Sequence, residues 1–163
     1  MLESVKDLIQ EQLDKQALVS VQESGLQPAL VIHPDHLVAV CLLLRDTAGF
    51  YFDFLSNITA VDFFPEARFE LVYHLASIPY QTQLVLKVVL EHDRGLAVLP
   101  ELPSVAQVWR TADWHEREAF DLMGIFFTGH PDLRRILLPD DWVGYPLRKD
   151  YEDQESYHGI AIK

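Results

Sequence analysis

A run of charged residues in the second half of the chain is the first place to look for chemistry. The run H-E-R-E-A at 115–119 can be compared with the H-E-x-x-H helix motif that binds zinc. That motif needs two imidazoles one helical turn apart, and position 119 is alanine. The sequence therefore argues against a metalloprotease. The simpler interpretation is a charged helix face on which Glu116 and Glu118 complement the helix dipole.

Acid–base chemistry is the second candidate for this helix. Glu118 and Asp121 share a helical face, but no nucleophile or further metal-ligating group accompanies them. Arg117 lies one turn before Asp121, so the two can pair. We favour arginine–carboxylate pairing inside an interface. The alternative is a stand-alone acid–base hydrolase, which would use the side chains of Glu116, Glu118, Asp121 and His130.

The segment 130–135, H-P-D-L-R-R, could bind a phosphate through its arginines. No Gly-rich loop follows a predicted strand here, so neither a P-loop nor a dinucleotide fingerprint is present. We favour a turn in which Arg134 and Arg135 form ion pairs, because guanidinium groups match carboxylates in shape and charge.

Composition narrows the class of protein. The 163 residues are 49% hydrophobic, which fits one folded domain, and the formal net charge is −12. Such an acidic chain is not expected to bind nucleic acid or anionic lipid. Its one cysteine, Cys41, cannot form an internal disulfide, and no Cys/His zinc spacing exists. An iron–sulfur cluster held by the chain's own cysteines is also excluded, since it normally takes four.

Periodicity predicts an α+β domain over residues 1–124. Helices are predicted at 2–13 and 34–47, and two short strands at 17–22 and 29–33 are separated by Gly25 and Pro28. Three strand candidates at 50–63, 68–78 and 81–90 have short connections, which favour an antiparallel meander. The order of elements predicts two layers, with a mostly antiparallel or mixed sheet and helices on one face.

The stretch before the C-terminal segment is predicted to hold a loop and a helix. Residues 91–103 are predicted to be a loop, and Ser104 is a plausible N-cap of a helical turn. Asp113 is a second plausible N-cap, for a helix at 114–123 that ends at Gly124. No signal peptide is apparent at the N-terminus, and the longest apolar run is too short to span a bilayer.

Residues 125–163 form the least regular part of the chain, which we call the C-terminal arm. Pro and Gly interrupt it every few residues, yet it carries large apolar side chains: Trp142, Tyr145, Leu147, Tyr151 and Tyr157. Aromatic residues together with arginines are typical of interface hot spots. We therefore interpret the arm as a partner-docking segment that is not ordered in the isolated chain. The alternative is a tail folded onto its own domain.

The densest pattern in the chain lies between positions 116 and 151. It consists of E-R-E (116–118), D-L-M-G-I (121–125), G-H-P-x-L-x-R-I-L (129–137) and D-W-x-G-x-P-L-R-K-D-Y (141–151). This pattern resembles the signature of the 30 kDa subunit of the proton-translocating NADH:quinone oxidoreductase, respiratory complex I.

The resemblance implies a structural subunit of the peripheral arm of that complex, at the cytoplasmic side of the bacterial cell membrane. It implies contact with the large subunit that helps to form the quinone pocket and with neighbouring iron–sulfur subunits. It also implies no catalytic residue and no cofactor in this chain, with FMN and iron–sulfur clusters held by other subunits. Related subunits occur in membrane-bound hydrogenases and in the ferredoxin-linked photosynthetic complex, which remain alternatives.

On this interpretation the interface candidates are the polar and aromatic residues of the signature and its surroundings. They are Glu116, Arg117, Glu118, Asp121, His130, Arg134, Arg135, Trp142, Tyr145, Arg148, Lys149 and Tyr151.

Overall fold

Five strands form the central sheet of the computed structural model, which describes residues 1–24 and 27–162. The strands are β1 (Leu18–Gln22), β2 (Ala29–Ile32), β3 (Phe54–Phe63), β4 (Arg68–Ser77) and β5 (Thr82–Glu91). Their order across the sheet is β1-β2-β5-β4-β3, with β2 parallel to β5 and the other neighbours antiparallel. The predicted meander is thus confirmed as β3, β4 and β5.

Within the described residues, three α-helices complete the domain: α1 (Leu2–Gln12), α2 (Leu37–Asp46) and α3 (Ala112–Met123). Apolar side chains alternate along the long strands, so that on β4 Phe69, Leu71, Tyr73 and Leu75 are buried on one face. The same core contains the buried apolar positions of the helices, which are Val5, Ile9, Leu37, Val40, Cys41, Leu44, Ala112, Ala119 and Met123. The predicted α+β class with a mixed sheet is confirmed. Burial raises the pKa of the Cys41 thiol, consistent with a packing role.

Several predicted element ends need correction. β3 begins at Phe54 rather than at 50, because Gly49 and Tyr51 have φ values of 91° and 42° and turn the chain first. Pro34 opens a 3-10 turn, Pro34–His36, before α2 begins. The helical turn after Ser104 is present between Val105 and Trp109.

α3 begins two residues earlier than predicted. Thr111 precedes it, and Asp113 lies in its first turn instead of capping it. Gly124 ends the helix in the left-handed conformation, with φ of 66°, as predicted.

A second, two-stranded sheet lies where the sequence predicted only irregular structure. β6 (Glu101–Pro103) falls inside the predicted loop, and β7 (Phe126–Thr128) lies within the C-terminal arm. The two pair in parallel and place Leu102 and Phe127 in the core. Strands of three residues carry too little alternation to be recognised in a sequence.

The rest of the arm has little regular structure in the described part of the chain. Its last described element is a small antiparallel pair, β8 (Ser156–Tyr157) with β9 (Ile160–Ala161). The Gly25 break predicted between β1 and β2 falls outside the described residues. In residues 1–24 and 27–162, every helix is too short or too polar to cross a membrane.

Candidate functional site

The C-terminal arm folds back onto the domain, and a buried carboxylate on α3 holds its first half. Asp121 is fully buried, and its Oδ2 accepts hydrogen bonds from the backbone N–H groups of Ile136, Leu137 and Leu138 at 3.0, 2.7 and 2.9 Å. Its Oδ1 accepts from Arg135 Nη1 at 2.7 Å. Burial alone would raise the pKa of Asp121, but these donors outweigh it and hold the pKa below its ordinary value.

Two arginines complete this contact, which we call the helix anchor (Arg117, Asp121 and Arg135). The Nη2 of Arg135 donates to the carbonyl oxygens of Trp142 and Gly144, at 3.0 and 3.2 Å, and so also fixes the second bend of the arm. Arg117 donates to the carbonyl oxygens of Arg134 and Arg135, both at 3.2 Å. The predicted Arg117–Asp121 pair is wrong: Asp121 pairs with Arg135, and Arg117 serves the backbone of the arm.

A second contact, the strand anchor (Asp62, Arg94 and Asp150), holds the arm farther along. Arg94 donates to both oxygens of Asp62, at 2.8 and 2.6 Å, and to both oxygens of Asp150, at 2.7 and 2.8 Å. The Lys149 N–H donates to Asp62 Oδ2 at 2.9 Å. The side-chain hydrogen bonds from Arg94 lower the pKa of Asp150. For Asp62 the bonds from Arg94 and Lys149 outweigh burial, and its pKa is lowered too.

Arg148 inserts between the arm and the end of α3. Its side chain is buried, with Nε 2.7 Å from the Met123 carbonyl oxygen and Nη2 3.1 Å from that of Gly124. The guanidinium lies 5.1 Å from the ring centre of Phe69 and 4.9 Å from that of Tyr145. Burial lowers the pKa of Arg148. A Cβ at Gly124 would lie 2.5 Å from Tyr145, so this position requires glycine for space as well as for its φ.

Glu116 forms a separate buried group under the start of α3. Its Oε1 accepts from the Val105 N–H at 2.7 Å, and its Oε2 lies 2.5 Å from the Ser104 hydroxyl. Burial raises the pKa of Glu116 to about 7, against the opposing effect of these two hydrogen bonds. Glu116 is therefore not part of an exposed charged face, which corrects the prediction made from the helix dipole.

His130 lies beside this group without entering an open site. Its ring is fully buried, with Nε2 3.1 Å from the Asp113 carbonyl oxygen and 3.9 Å from Glu116 Oε2. Nδ1 accepts from the Asp132 N–H at 3.0 Å. Glu118, by contrast, is exposed.

The four side chains named for a hydrolase are thus not gathered in one site. Glu116 and His130 are buried together, Asp121 belongs to the helix anchor, and Glu118 lies at the surface. The described residues contain no His/Cys/Asp/Glu cluster suited to a metal.

The segment 130–135 is a turn with ion pairs, as we favoured over a phosphate site. Arg134 pairs with the exposed Asp132 at 2.9 Å, and Arg135 belongs to the helix anchor.

The aromatic residues in the second half of the arm, from Trp142 onward, are neither free nor fully buried. Trp142, Tyr145, Tyr151 and Tyr157 are half-buried, and Trp142 lies 5.3 Å from Tyr157 between ring centres. The expectation of an unordered arm is therefore wrong for the stretch from 130 to 151, because its backbone meets charged partners on the domain. The interpretation of a tail folded onto its own domain holds for this stretch.

Large apolar side chains nevertheless point away from the domain along the anchored arm. Leu137, Val143 and Leu147 are 63%, 66% and 58% exposed. Of the predicted interface residues, Glu116, Arg117, Asp121, Arg135 and Arg148 are occupied by intrachain contacts. Those that remain exposed are Glu118, Arg134 and Lys149.

Sequence reasoning missed Asp62, Arg94 and Asp150. Asp62 carried a usable signal, since it is the only charged residue in the apolar strand from Phe54 to Phe63. An isolated carboxylate in such a strand needs a partner. Nothing in the sequence of the loop around Arg94 indicates that Arg94 is the partner of Asp62.

Comparisons with known proteins agree with the signature. The family model described as the respiratory-chain NADH dehydrogenase 30 kDa subunit matches residues 30–157. An NADH-quinone oxidoreductase subunit of Moorella thermoacetica is 47% identical over 136 residues, which cover 83% of this chain and 87% of that protein. The protein of the same name from Chloroherpeton thalassium is 41% identical over 148 residues, covering 90% of this chain and 59% of its own length.

A solved structure shares the fold. A chain in the structure of the membrane-bound sulfane sulfur reductase, an archaeal respiratory membrane complex, is 25% identical with a TM-score of 0.72. The match covers 93% of this chain and 85% of that one. The resemblance found in the sequence is confirmed, and the chain belongs to the family of the 30 kDa subunit of respiratory-chain NADH dehydrogenase.

Proposed function

We propose that the chain is a structural subunit in the peripheral arm of an NADH:quinone oxidoreductase, a complex that passes electrons from NADH to a quinone and couples this to proton translocation. It binds no cofactor of its own, and FMN and iron–sulfur clusters reside in other subunits. Its contribution is to hold neighbouring subunits together, namely the large quinone-pocket subunit and the adjacent iron–sulfur subunits. The complex holds it at the cytoplasmic side of the bacterial cell membrane.

The observation that carries this proposal is that different side chains of the C-terminal arm face the domain and the solvent. Charged side chains fix the backbone of the arm on the domain, while Leu137, Val143 and Leu147 face outward. Burying a leucine or valine contributes about 1.5–3 kcal/mol, so three of them on a fixed backbone form an effective docking surface. Pre-ordering the arm also lowers the entropy lost on binding.

Truncation tests the proposal. A chain lacking residues 139–163 should no longer co-purify with the peripheral arm, and NADH:quinone activity of the membranes should fall with it. A second truncation after residue 151 retains both anchors and should still assemble. Circular dichroism of the isolated variants checks that the sheet and helices remain. Normal assembly and activity of the shorter variant would refute the docking role.

A second candidate function places the chain in a related membrane complex with another electron donor, such as a membrane-bound hydrogenase or a ferredoxin-linked complex. The structural likeness to a chain of the sulfane sulfur reductase supports this second candidate, because the same fold occurs in a respiratory complex with a different activity in its name. Membranes with and without the chain separate the candidates: loss of NADH oxidation supports the first, and loss of oxidation of reduced ferredoxin supports the second.

A further inference from the structure

The edge strand β3 pairs with β4 on one side, and on its other side a stretch of its backbone has no strand partner in the described chain. It is the last strand of the five-stranded sheet, so one side of its ladder has no strand partner. Contacts flank this side near both ends of the strand. The Thr111 hydroxyl donates to the Leu55 carbonyl oxygen at 3.0 Å, and the Lys149 N–H of the arm donates to the side-chain Oδ2 of Asp62 at 2.9 Å. Between them lies an open window at residues 57–60.

A groove runs along this window. One wall is formed by residues 57–60 of β3, and the other is the face of α3 that carries His115, Glu118 and Leu122. Leu147 of the arm lines the same groove, and its N–H donates to the Leu122 carbonyl oxygen at 3.0 Å. Four extended residues span about 13 Å, so the window has the length of a short strand.

Helix α3 packs along β3, but the window itself carries none of the side chains that normally protect an exposed edge. Its residues N-I-T-A include no lysine, proline or charge, and the irregularity in β3 lies before them, between Leu55 and Asn57. The opposite edge strand, β1, has only five residues and an irregularity at Val19. A strand edge without such side chains is an aggregation risk unless another chain covers it.

The charge at the groove selects the kind of chain that fits. Glu118 is exposed and belongs to none of the ion pairs formed by the described residues. Edge-to-edge pairing of two copies would bring two such carboxylates together in chains of net charge −12 each. A segment with a lysine or arginine meets no such repulsion and pairs with the carboxylate.

We propose that an extended segment of a neighbouring subunit adds to β3 at residues 57–60 and places a basic side chain against Glu118. Main-chain hydrogen bonds to the strand edge would provide affinity, and the ion pair would set the register. This inference rests on the proposed function, since it assigns a surface for one of the subunit contacts.

Site-specific photo-crosslinking in the assembled complex tests it. A benzoylphenylalanine at Thr59, which is exposed beside the window, should crosslink to one segment of another subunit that contains a lysine or arginine. The matched position is Val19, 59% exposed on the opposite edge strand, where the yield should be several-fold lower. Mass spectrometry of the crosslinked peptide identifies the segment.

Charge variants supply the second measurement. Glu118→Gln should lower the crosslinking yield at Thr59 about two- to fivefold, and Glu118→Lys should lower it further. Glu11→Gln, at an exposed glutamate on α1, should leave the yield unchanged.

The outcomes separate this inference from the proposed function. If the chain co-purifies normally and Thr59 crosslinks to no other protein, to a second copy of the chain, or to a segment without a basic residue, the edge-pairing inference is overturned and the subunit role stands. If the unmodified chain does not co-purify with the complex, both are overturned.

Discussion

At the scale of single residues, Asp121 has the largest share in positioning the C-terminal arm. One carboxylate satisfies three consecutive backbone N–H groups and a guanidinium, all from the arm. Residues 136–138 lie outside any helix or strand of the described chain, so the carboxylate takes the place of a secondary-structure partner for their N–H groups. Charge-assisted hydrogen bonds of this kind are roughly twice as strong as neutral ones.

Asp121→Asn should therefore destabilise the chain by about 2–4 kcal/mol, since it removes the charge and leaves Arg135 without its carboxylate. Urea unfolding measures the loss, and hydrogen exchange should show faster exchange of the amides at 136–138. Asp132→Asn is the matched control, because it breaks an exposed ion pair and should change stability little. Equal effects of the two variants would count against the helix anchor.

Glu116 gives the chain a pH dependence of a definite sign. Its pKa is about 7 in the folded chain, against an ordinary value of 4.5. The folded state thus binds the proton more tightly, and its stabilising contribution is present below the ordinary pKa and lost as pH rises through about 7. The lowered pKa values of Asp62 and Asp121 act in the opposite sense and only toward acid, where stability falls as those groups protonate.

We expect the free energy of unfolding to decrease between pH 5 and pH 8 by about 2–3 kcal/mol through Glu116 alone. Glu116→Gln, which resembles the protonated form, should remove most of that decrease. Urea titrations at the two pH values measure it, with Glu118→Gln as the exposed control. If the free energy of unfolding of Glu116→Gln still falls by the same amount between pH 5 and pH 8, another group is responsible.

At the scale of elements, the junction between α3 and the arm depends on Gly124. The residue adopts a left-handed φ, and the arm returns so closely that Tyr145 and Arg148 occupy the space where a Cβ would point. The end of the helix and the return of the arm therefore constrain one residue for two different reasons.

Gly124→Ala should cost about 2–4 kcal/mol, combining the left-handed backbone with overpacking against Tyr145. Gly129→Ala is a close control, because its φ is +79° but a Cβ there would meet open space. It should cost only about 1–2 kcal/mol. Thermal unfolding compares them, and limited proteolysis should cut the arm sooner in Gly124→Ala. If the two variants lose the same stability, the close packing of Tyr145 against Gly124 does not contribute to the cost.

The elements differ in how far sequence could predict them. Long strands such as β4 alternate over ten residues, and helix α3 ends at a glycine, so both follow from local pattern. β6 and β7 are three residues each and form only because their side chains meet in the core. The helix anchor combines both cases: arginine–carboxylate pairing was predictable, but the return of the arm decides that Asp121 meets Arg135 instead of Arg117.

At the scale of the whole molecule, the chain is a core domain with a fixed arm that presents its own apolar surface. The helix anchor and the buried Arg148 use polar residues that the sequence suggested for a partner, whereas Leu137, Val143 and Leu147 remain exposed. Several residues of the signature are therefore occupied by intrachain contacts. On the proposed function, docking and folding use different side chains of the same segment, which makes them separable by mutation.

The most direct test replaces Leu137, Val143 and Leu147 together by serine and measures two quantities: the free energy of unfolding of the isolated chain and its recovery with the purified membrane complex. We predict unfolding within about 1 kcal/mol of the unmodified chain, because exposed side chains add little to stability, and a clear loss of recovery. Val19→Ser is the control and should be recovered normally. Full recovery of the triple variant would contradict the claim that the anchored arm is the docking surface.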